Sequence, residues 1–199
     1  MTTTFFLVRH AVHGLLDRVL VGRSPGVSLS DLGRRQAAAL AERLARESLT
    51  AVHASPRERA QETAHPIAAT TGRPVTIAPD LDEIDVGEWT GRSFDEMSDD
   101  PRWQAWNSAR ASARTPGGES MREVQDRVVR LLGRLSAVHP DGRIAAVSHG
   151  DVIRAALLHY LGLGLDAYDR IEVSPAGVST VVVGPWGAKI LSLNERVAA

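Results

Sequence analysis

The stretch FFLVRHAVHG, residues 5–14, carries four apolar residues directly into an adjacent arginine and histidine, Arg9 and His10. A short apolar run without polar alternation is typical of a strand whose two faces are both buried. The segment IAAVSHG, residues 144–150, repeats the pattern, because His149 follows its apolar run within two residues. These two segments predict buried strands that each end close to a histidine.

A third apolar run, AVHA at 51–54, leads into SPRERA, which contains Arg57 and Arg59. In open α/β sheets, ligands bind beside the carboxyl ends of the strands. Three strands that end in arginine or histidine would therefore direct guanidinium and imidazole groups into one crevice. That composition fits a phosphate, because guanidinium pairs with phosphate oxygens and imidazole can attack phosphorus.

Short apolar runs alternate along the chain with longer segments of helical periodicity. The predicted strands are 5–8, 51–54, 75–78, 144–147, 179–183 and 190–193, and the predicted helices are 30–46, 57–70, 120–138 and 152–161. The expected helix caps are Ser30, Ser120 in a capping-box pattern with Glu123, and Asp151. This alternation predicts an α/β fold of three layers, with a mostly parallel central sheet and helices on both faces.

The 199 residues fit a single domain, 1–199, without repeats or linker-like segments. The segment 88–119 departs from the alternation, because it combines Trp89, Trp103 and Trp106 with prolines and glycines. We expect this segment to form a lid-like excursion over one end of the sheet and to influence specificity.

The composition excludes several classes of protein. A net charge of −1 gives no overall attraction to nucleic acid or membranes, and the absence of cysteine excludes disulfides and thiolate metal sites. The first residues lack the pattern of a signal peptide, and no apolar run approaches the roughly 18 residues of a membrane span. We expect a cytoplasmic protein that binds a small phosphorylated substrate, with no nucleic acid and no membrane as partner, and a homodimer left open.

Five motifs follow one another in the order typical of one known family. They are LVRHA at 7–11, SPRERAQETA at 55–64, LDEIDVGEWTG at 81–91, PGGES at 116–120 and VSHG at 147–150. In this order they resemble the signature of the histidine phosphatase superfamily, also called the phosphoglycerate mutase-like family. The resemblance spans nearly the whole chain. It implies a phosphomonoesterase of the histidine acid phosphatase type that needs neither a metal nor a cofactor.

The resemblance also implies a role for each motif residue. His10 is the expected nucleophile, which would become a phosphohistidine. Arg9, Arg59 and a protonated His149 are expected to surround the phosphoryl group and stabilise its charge. Glu83 is the expected general acid for the leaving alkoxide and then the base for the hydrolytic water. That role requires a raised pKa for Glu83, from burial or from the nearby phosphate.

The chain departs from the family pattern beside the nucleophile. Ala11 replaces the usual glycine, and Val12 and His13 stand where Glu-Thr or Glu-Ser is usual. His13 is a candidate for lining the pocket and contacting substrate. Arg23, in VGRSPG, is a candidate for contact with the phosphate or the leaving group. An exposed position in a loop is the alternative for both side chains.

Two other functions stay open. A cofactor-dependent phosphoglycerate mutase would return the phosphoryl group to its substrate, but this chain is short and lacks the Arg-His-Tyr stretch expected after the general acid. A catalytically weak phosphate-binding module is the second alternative, and the presence of His10, Glu83 and His149 argues against it.

The substrate stays open among sugar phosphates, a nucleotide such as α-ribazole phosphate, and phosphoproteins. Candidates for binding the rest of the substrate, all in the 88–119 segment, are Arg92, Arg102, Arg110, Arg114, Trp103 and Trp106. The alternative is that the tryptophans belong to the core and the arginines to the surface.

Overall fold

The structure is a computed structural model, and it describes residues 1–197 of the chain. Within these residues the strands are β1 (Thr3–Arg9), β2 (Ala51–Ala54), β3 (Val75–Ile77), β4 (Arg143–Ser148), β5 (Val178–Gly184) and β6 (Gly187–Glu195). They form one sheet in the order β3-β2-β4-β1-β5-β6. The pairs β1·β4, β2·β4 and β2·β3 are parallel, whereas β5 is antiparallel to both β1 and β6. The predicted mostly parallel sheet is confirmed.

Helices lie on both faces of this sheet. Within residues 1–197 the α-helices are α1 (Asp31–Leu44), α2 (Glu58–Thr71), α3 (Phe94–Met97), α4 (Pro101–Ser108), α5 (Met121–Val138) and α6 (Gly150–Tyr160). Helices α1 and α2 pack against each other on one face, and α5 and α6 pack together on the other. None of the helices in the described part of the chain is both long and apolar enough to cross a membrane.

Alternate side chains of β1 enter two separate apolar cores. Phe6 and Val8 join the core that contains Leu40 of α1, whereas Phe5 and Leu7 join the core formed with α5 and α6. Neighbouring side chains of a strand point to opposite faces, so an uninterrupted apolar run fills both sides of the sheet. The predicted three-layer α/β architecture is therefore confirmed.

Two of the three predicted helix caps are present. The Ser30 hydroxyl accepts a hydrogen bond of 3.1 Å from the Gly33 backbone N–H at the start of α1. Before α5, the Ser120 hydroxyl accepts from the Glu123 N–H, and the Glu123 carboxylate accepts in return from the Ser120 N–H. Each cap satisfies backbone donors that the first turn of a helix leaves without partners.

The third predicted cap is wrong. Helix α6 begins at Gly150 with His149 as its N-cap, and Asp151 lies inside the first turn. The carboxylate of Asp151 accepts a hydrogen bond from the Tyr168 hydroxyl, which competes for its oxygens. No side chain within residues 1–197 caps α6. Because α6 follows β4 directly, the positive end of its helix dipole lies at the carboxyl end of β4.

The 88–119 segment contains α3 and α4 and is tied to the 14–23 loop. The Gly91 N–H donates to the carbonyl of Leu20 at 2.9 Å, and a second backbone bond of 2.9 Å runs in the reverse direction from Leu20 to the segment. Trp89 is fully buried at the base of the segment. The two backbone bonds to Leu20 and the buried Trp89 anchor the segment, and it forms one wall of the cavity described below.

Candidate active site

His10 follows β1 directly and is held between strands. Its backbone N–H donates to the carbonyl of Ser148 in β4 at 2.9 Å, and its side chain is 3% exposed. The ring Nδ1 lies 2.9 Å from the carbonyl of Ala11. A carbonyl can only accept, so Nδ1 carries the proton and Nε2 keeps its lone pair. Burial and the charges of Arg59 and Arg9 hold the pKa of His10 well below its ordinary value, so the imidazole is neutral.

Two arginines beside His10 have buried donors without partners. Arg59, in the first turn of α2, is fully buried, and its Nη2 donates to the carbonyl of Gly22 at 2.7 Å. Arg9 donates through Nη1 to the carbonyl of Val173 at 2.7 Å. Nε and Nη1 of Arg59 and Nε of Arg9 have no hydrogen-bond partner within residues 1–197. Unpaired buried donors are costly, so these groups indicate a site built for an anion.

His149 packs against both His10 and Arg59. It is fully buried, and its ring centroid lies 5.1 Å from that of His10. Its Nδ1 is 3.3 Å from Nη2 of Arg59, and its Nε2 is 2.7 Å from the Ser55 hydroxyl. Because guanidinium can only donate, Nδ1 is the acceptor and Nε2–H donates to Ser55.

The structure corrects the expectation of a protonated His149. Burial and the neighbouring charge of Arg59 hold the pKa of His149 well below its ordinary value. The arginines therefore supply the permanent positive charge of the site, and His149 adds a neutral, oriented ring.

Glu83 has the raised pKa that its proposed role requires. Burial, together with the negative charge of Asp151, raises the pKa of Glu83 to about 8, against the opposing effect of Arg59. Its Oε1 accepts from the Ile84 N–H at 2.9 Å, and its Oε2 lies 3.7 Å from Nδ1 of His149. Glu83 thus carries a proton at neutral pH, close to His149.

Most of these side chains line one cavity of about 250 Å³, but the fully buried His149, predicted to contact the phosphoryl group, is absent from its wall among the described residues. The predicted residues on its wall are Arg9, His10, His13, Arg59 and Glu83. Trp103, Trp106 and Arg110 of the 88–119 segment also line it, so part of this segment contributes to the cavity wall. No group of three or more histidine, aspartate or glutamate side chains within residues 1–197 is placed to hold a metal ion.

Residues 5–196 match the model of the histidine phosphatase superfamily (branch 1). The chain belongs to this superfamily. It is 31% identical over 193 residues to phosphoserine phosphatase 1 of Hydrogenobacter thermophilus, in an alignment that covers 94% of this chain and 90% of that protein. It is also 39% identical over 134 residues to phosphoglycerate mutase-like protein 4 of Arabidopsis thaliana. That alignment covers 65% of this chain and 58% of that longer relative.

A solved structure shows the same fold. The native structure of the mycobacterial glucosyl-3-phosphoglycerate phosphatase Rv2419c matches with a TM-score of 0.89 at 24% sequence identity, and the match covers 98% of this chain and 100% of that one. The resemblance predicted from the five motifs is confirmed. The superfamily and the phosphoserine phosphatase relative together support a phosphatase.

His13 lies deeper in this histidine phosphatase than a loop position suggests. It is 4% exposed, and its ring centroid is 5.4 Å from that of His10. Its Nδ1 accepts from the Leu15 N–H at 3.3 Å. Burial, Arg59 and Arg9 lower the pKa of His13 to about 4, so the ring is neutral. The structure thus places His13 on the cavity wall, and the alternative of an exposed histidine is wrong.

Arg23 is placed behind Glu83 and is absent from the cavity wall among the described residues. Its Nε donates to the carbonyl of Glu83 at 2.8 Å, and its Nη2 bonds to the carboxylate of Glu119 at 2.8 Å. Asp82 lies 3.6 Å from the same guanidinium. The expected contact with substrate is therefore corrected: these carboxylates take up the charge of Arg23, which holds the segment carrying Glu83.

Two neighbours of the site residues, Thr63 and Ser55, were not predicted from the sequence. The Thr63 hydroxyl accepts from the N–H of Ala11 at 3.0 Å and so fixes the turn after His10. The Ser55 hydroxyl bonds to His149 and lies 3.4 Å from a carboxylate oxygen of Asp82. Ser55 and Thr63 both belong to the SPRERAQETA motif, so their place in the motif was the signal available.

Proposed function

We propose that this chain hydrolyses phosphomonoesters of small metabolites without a metal ion, through a phosphohistidine at His10. One observation carries this proposal. The neutral His10 ring, with Nδ1–H held by the Ala11 carbonyl, shares its cavity with the unpartnered guanidinium donors of Arg9 and Arg59. A nucleophilic nitrogen and a set of anion-binding donors are the two parts that phosphoryl transfer to histidine needs.

In the first step, Nε2 of His10 attacks phosphorus, and the bond from phosphorus to the alcohol oxygen breaks. Arg9 and Arg59 stabilise the negative charge on the equatorial oxygens as the group transfers. Glu83 gives its proton to the leaving alkoxide, since its raised pKa keeps that proton in place at neutral pH. The Ala11 carbonyl, bonded to Nδ1–H, stabilises the positive charge that the ring acquires.

In the second step, the Glu83 carboxylate takes a proton from a water molecule, and the water oxygen attacks phosphorus. The bond between phosphorus and Nε2 breaks, which returns His10 to its neutral form and Glu83 to its protonated form. Inorganic phosphate is the second product. The same carboxyl group therefore serves both steps, as acid and then as base, in the manner of the histidine acid phosphatase type.

The test is phosphate release from a panel of phosphomonoesters in the presence of EDTA. We expect the wild-type protein to release phosphate and His10→Ala to lose more than about a thousandfold in rate, because the nucleophile is gone. His65→Ala, an exposed histidine on α2, is the matched control and should retain full activity. Rapid quenching in base should trap an acid-labile phosphohistidine in the wild type.

Four outcomes would contradict the proposal. Phosphate release that survives His10→Ala would exclude His10 as the nucleophile, and release abolished by EDTA would indicate a metal. Interconversion of 2- and 3-phosphoglycerate with added bisphosphoglycerate, without net phosphate release, would identify a mutase. Binding of phosphate esters without either reaction would identify a phosphate-binding module.

A further inference from the structure

Arg110 is a buried cation on the wall of the cavity. It is 8% exposed, and its guanidinium lies 4.7 Å from the ring centroid of Trp106 and 4.1 Å from that of Tyr168. Its Nη2 donates to the side-chain oxygen of Asn107 at 2.7 Å. Its Nε is buried and has no hydrogen-bond partner within residues 1–197. Stacking on two aromatic rings fixes the orientation of the cation without neutralising it.

Arg154 is a second cation on the same wall. Its guanidinium lies 4.5 Å from the Tyr168 ring centroid, and its Nη1 donates to the Tyr168 hydroxyl at 2.7 Å. In α6, Arg154 stands one turn beyond Gly150, which is about 6 Å along the helix axis. Gly150 packs against the guanidinium of Arg9, since a Cβ there would lie 3.5 Å from its Cζ. Arg110 and Arg154 are thus about one helical turn from Arg9, at the end of the cavity where the phosphoryl group is proposed to bind.

The carboxylates near this wall leave it positive. Asp151 lies 4.0 Å from Nη1 of Arg110 and compensates part of one charge. Glu172 is 3.7 Å from Arg154, but 66% of its side chain is exposed, so solvent screens this pair. Asp17, also on the cavity wall, is exposed. A buried guanidinium donor without an acceptor is costly, and filling the gap between two rings would not require a guanidinium. The unpartnered donor of Arg110 therefore indicates a place for an anion.

We propose that Arg110, with Arg154 beside it, binds a second anionic group of the substrate. The preferred substrate is then a small phosphomonoester whose alcohol part carries a carboxylate, placed a few bonds from the phosphorus. This inference rests on the proposed function, because it assigns the far end of the same cavity. Arg110 acts as a specificity-determining residue, and it takes no part in the transfer of the phosphoryl group.

The test compares two probes that differ only at the second group. 3-Phosphoglycerate and glycerol 3-phosphate share a phosphorylated three-carbon chain, and the first has a carboxylate where the second has a hydroxymethyl group. We expect Arg110→Met to lower kcat/KM for 3-phosphoglycerate at least about tenfold, the loss of one charge-assisted hydrogen bond, and to change the value for glycerol 3-phosphate about twofold at most.

Two further variants separate recognition from structure. Arg102, in the same 88–119 segment, is paired with Asp100 and Glu88 on the surface, so Arg102→Met should affect neither probe. Arg110→Lys keeps the charge and should recover part of the preference. An equal loss on both probes would show that Arg110 only anchors the segment, and an unchanged preference in Arg110→Met would show that it does not bind the carboxylate. Either result would overturn the proposal.

A binding measurement makes the result independent of turnover. Calorimetry on the His10→Ala protein should show 3-phosphoglycerate binding at least about tenfold more tightly than glycerol 3-phosphate, and adding Arg110→Met should abolish the difference. If the wild type hydrolyses no ester while this preference persists, the proposed function fails and the anion subsite stands. If esters are hydrolysed and neither kinetics nor binding shows the preference, the subsite fails and the proposed function stands.

Discussion

Replacing Glu83 by glutamine should remove a pH dependence from the stability of the folded protein. The pKa of Glu83 is about 8 in the fold, against an ordinary value of 4.5. Between these two values the folded chain holds one proton more than the unfolded chain. The free energy of unfolding therefore falls as the pH rises, by about 1.4 kcal/mol per pH unit, and levels off above pH 8. Glu83→Gln removes the titrating group, so the free energy of unfolding of the variant does not show this fall.

The expected size follows from the same two values. Between pH 6 and pH 8, the variant should gain about 2 kcal/mol of stability relative to the wild type. His10, His13 and His149 have lowered pKa values and destabilise the fold as the pH falls below about 6.5. They do so in both proteins, so the difference between the proteins isolates Glu83.

The assay is urea unfolding followed by tryptophan fluorescence at pH 6, 7, 8 and 9, with linear extrapolation to water. Glu42→Gln, an exposed carboxylate on α1, is the control and should track the wild type at every pH. A difference between Glu83→Gln and the wild type that stays constant from pH 6 to pH 8 would refute the reasoning. It would mean that burial alone does not keep Glu83 protonated, and that Glu83 is already ionised at pH 6 before substrate binds.

The proton on Glu83 should also show in the rates of catalysis, as a dependence on the leaving group in Glu83→Gln. We expect Glu83→Gln to slow the first step, release of the alcohol, by about 10²- to 10⁴-fold for alkyl phosphates and to spare the initial burst of p-nitrophenol from p-nitrophenyl phosphate, whose leaving group needs no proton. Equal losses on both esters would exclude Glu83 as the general acid.

Two further substitutions separate orientation from charge. Ser55→Ala leaves the Nε2–H of the buried His149 without its acceptor, so kcat should fall about tenfold with KM little changed, and Ser55→Thr should restore it; a fall confined to KM would contradict an orienting role. Arg59→Met removes a fully buried cation with two unpartnered donors, so the melting temperature should stay equal or rise while kcat/KM falls at least about a hundredfold. A melting temperature several degrees lower would show that Arg59 stabilises the fold.

The central strands β1 and β4 could be predicted because burial on both faces leaves a direct record in the sequence. The run at 5–8 has no polar alternation, and its side chains fill a core on each side of β1. The cap at Asp151 was not predictable, since the outcome depends on Tyr168, which lies 17 positions further along the chain. A capping pattern describes only local competition for backbone donors, and a distant hydroxyl can change the result.

Contacts between residues far apart in sequence also explain which of the candidate arginines line the cavity. Arg23 matched a loop near the expected phosphate, but its carboxylate partner Glu119 is 96 positions away in sequence. Four arginines of the 88–119 segment were equal candidates, and Arg110 is distinguished by the ring of Tyr168, which comes from after α6. Long-range pairing decides whether an arginine keeps free donors, and sequence spacing does not reveal it.

The electrostatics of the site are arranged around an anion that the substrate brings. Burial keeps His10 and His149 neutral and Glu83 protonated, while Arg9 and Arg59 keep unpartnered donors. A phosphate dianion would give those donors acceptors, and its negative charge would raise the pKa of Glu83 further. In the proposed mechanism, substrate binding would therefore secure the proton that the leaving alkoxide requires. Once the alcohol had taken it, Glu83 would be a carboxylate whose high pKa makes it a strong base for the hydrolytic water, so one raised pKa would serve both proposed steps.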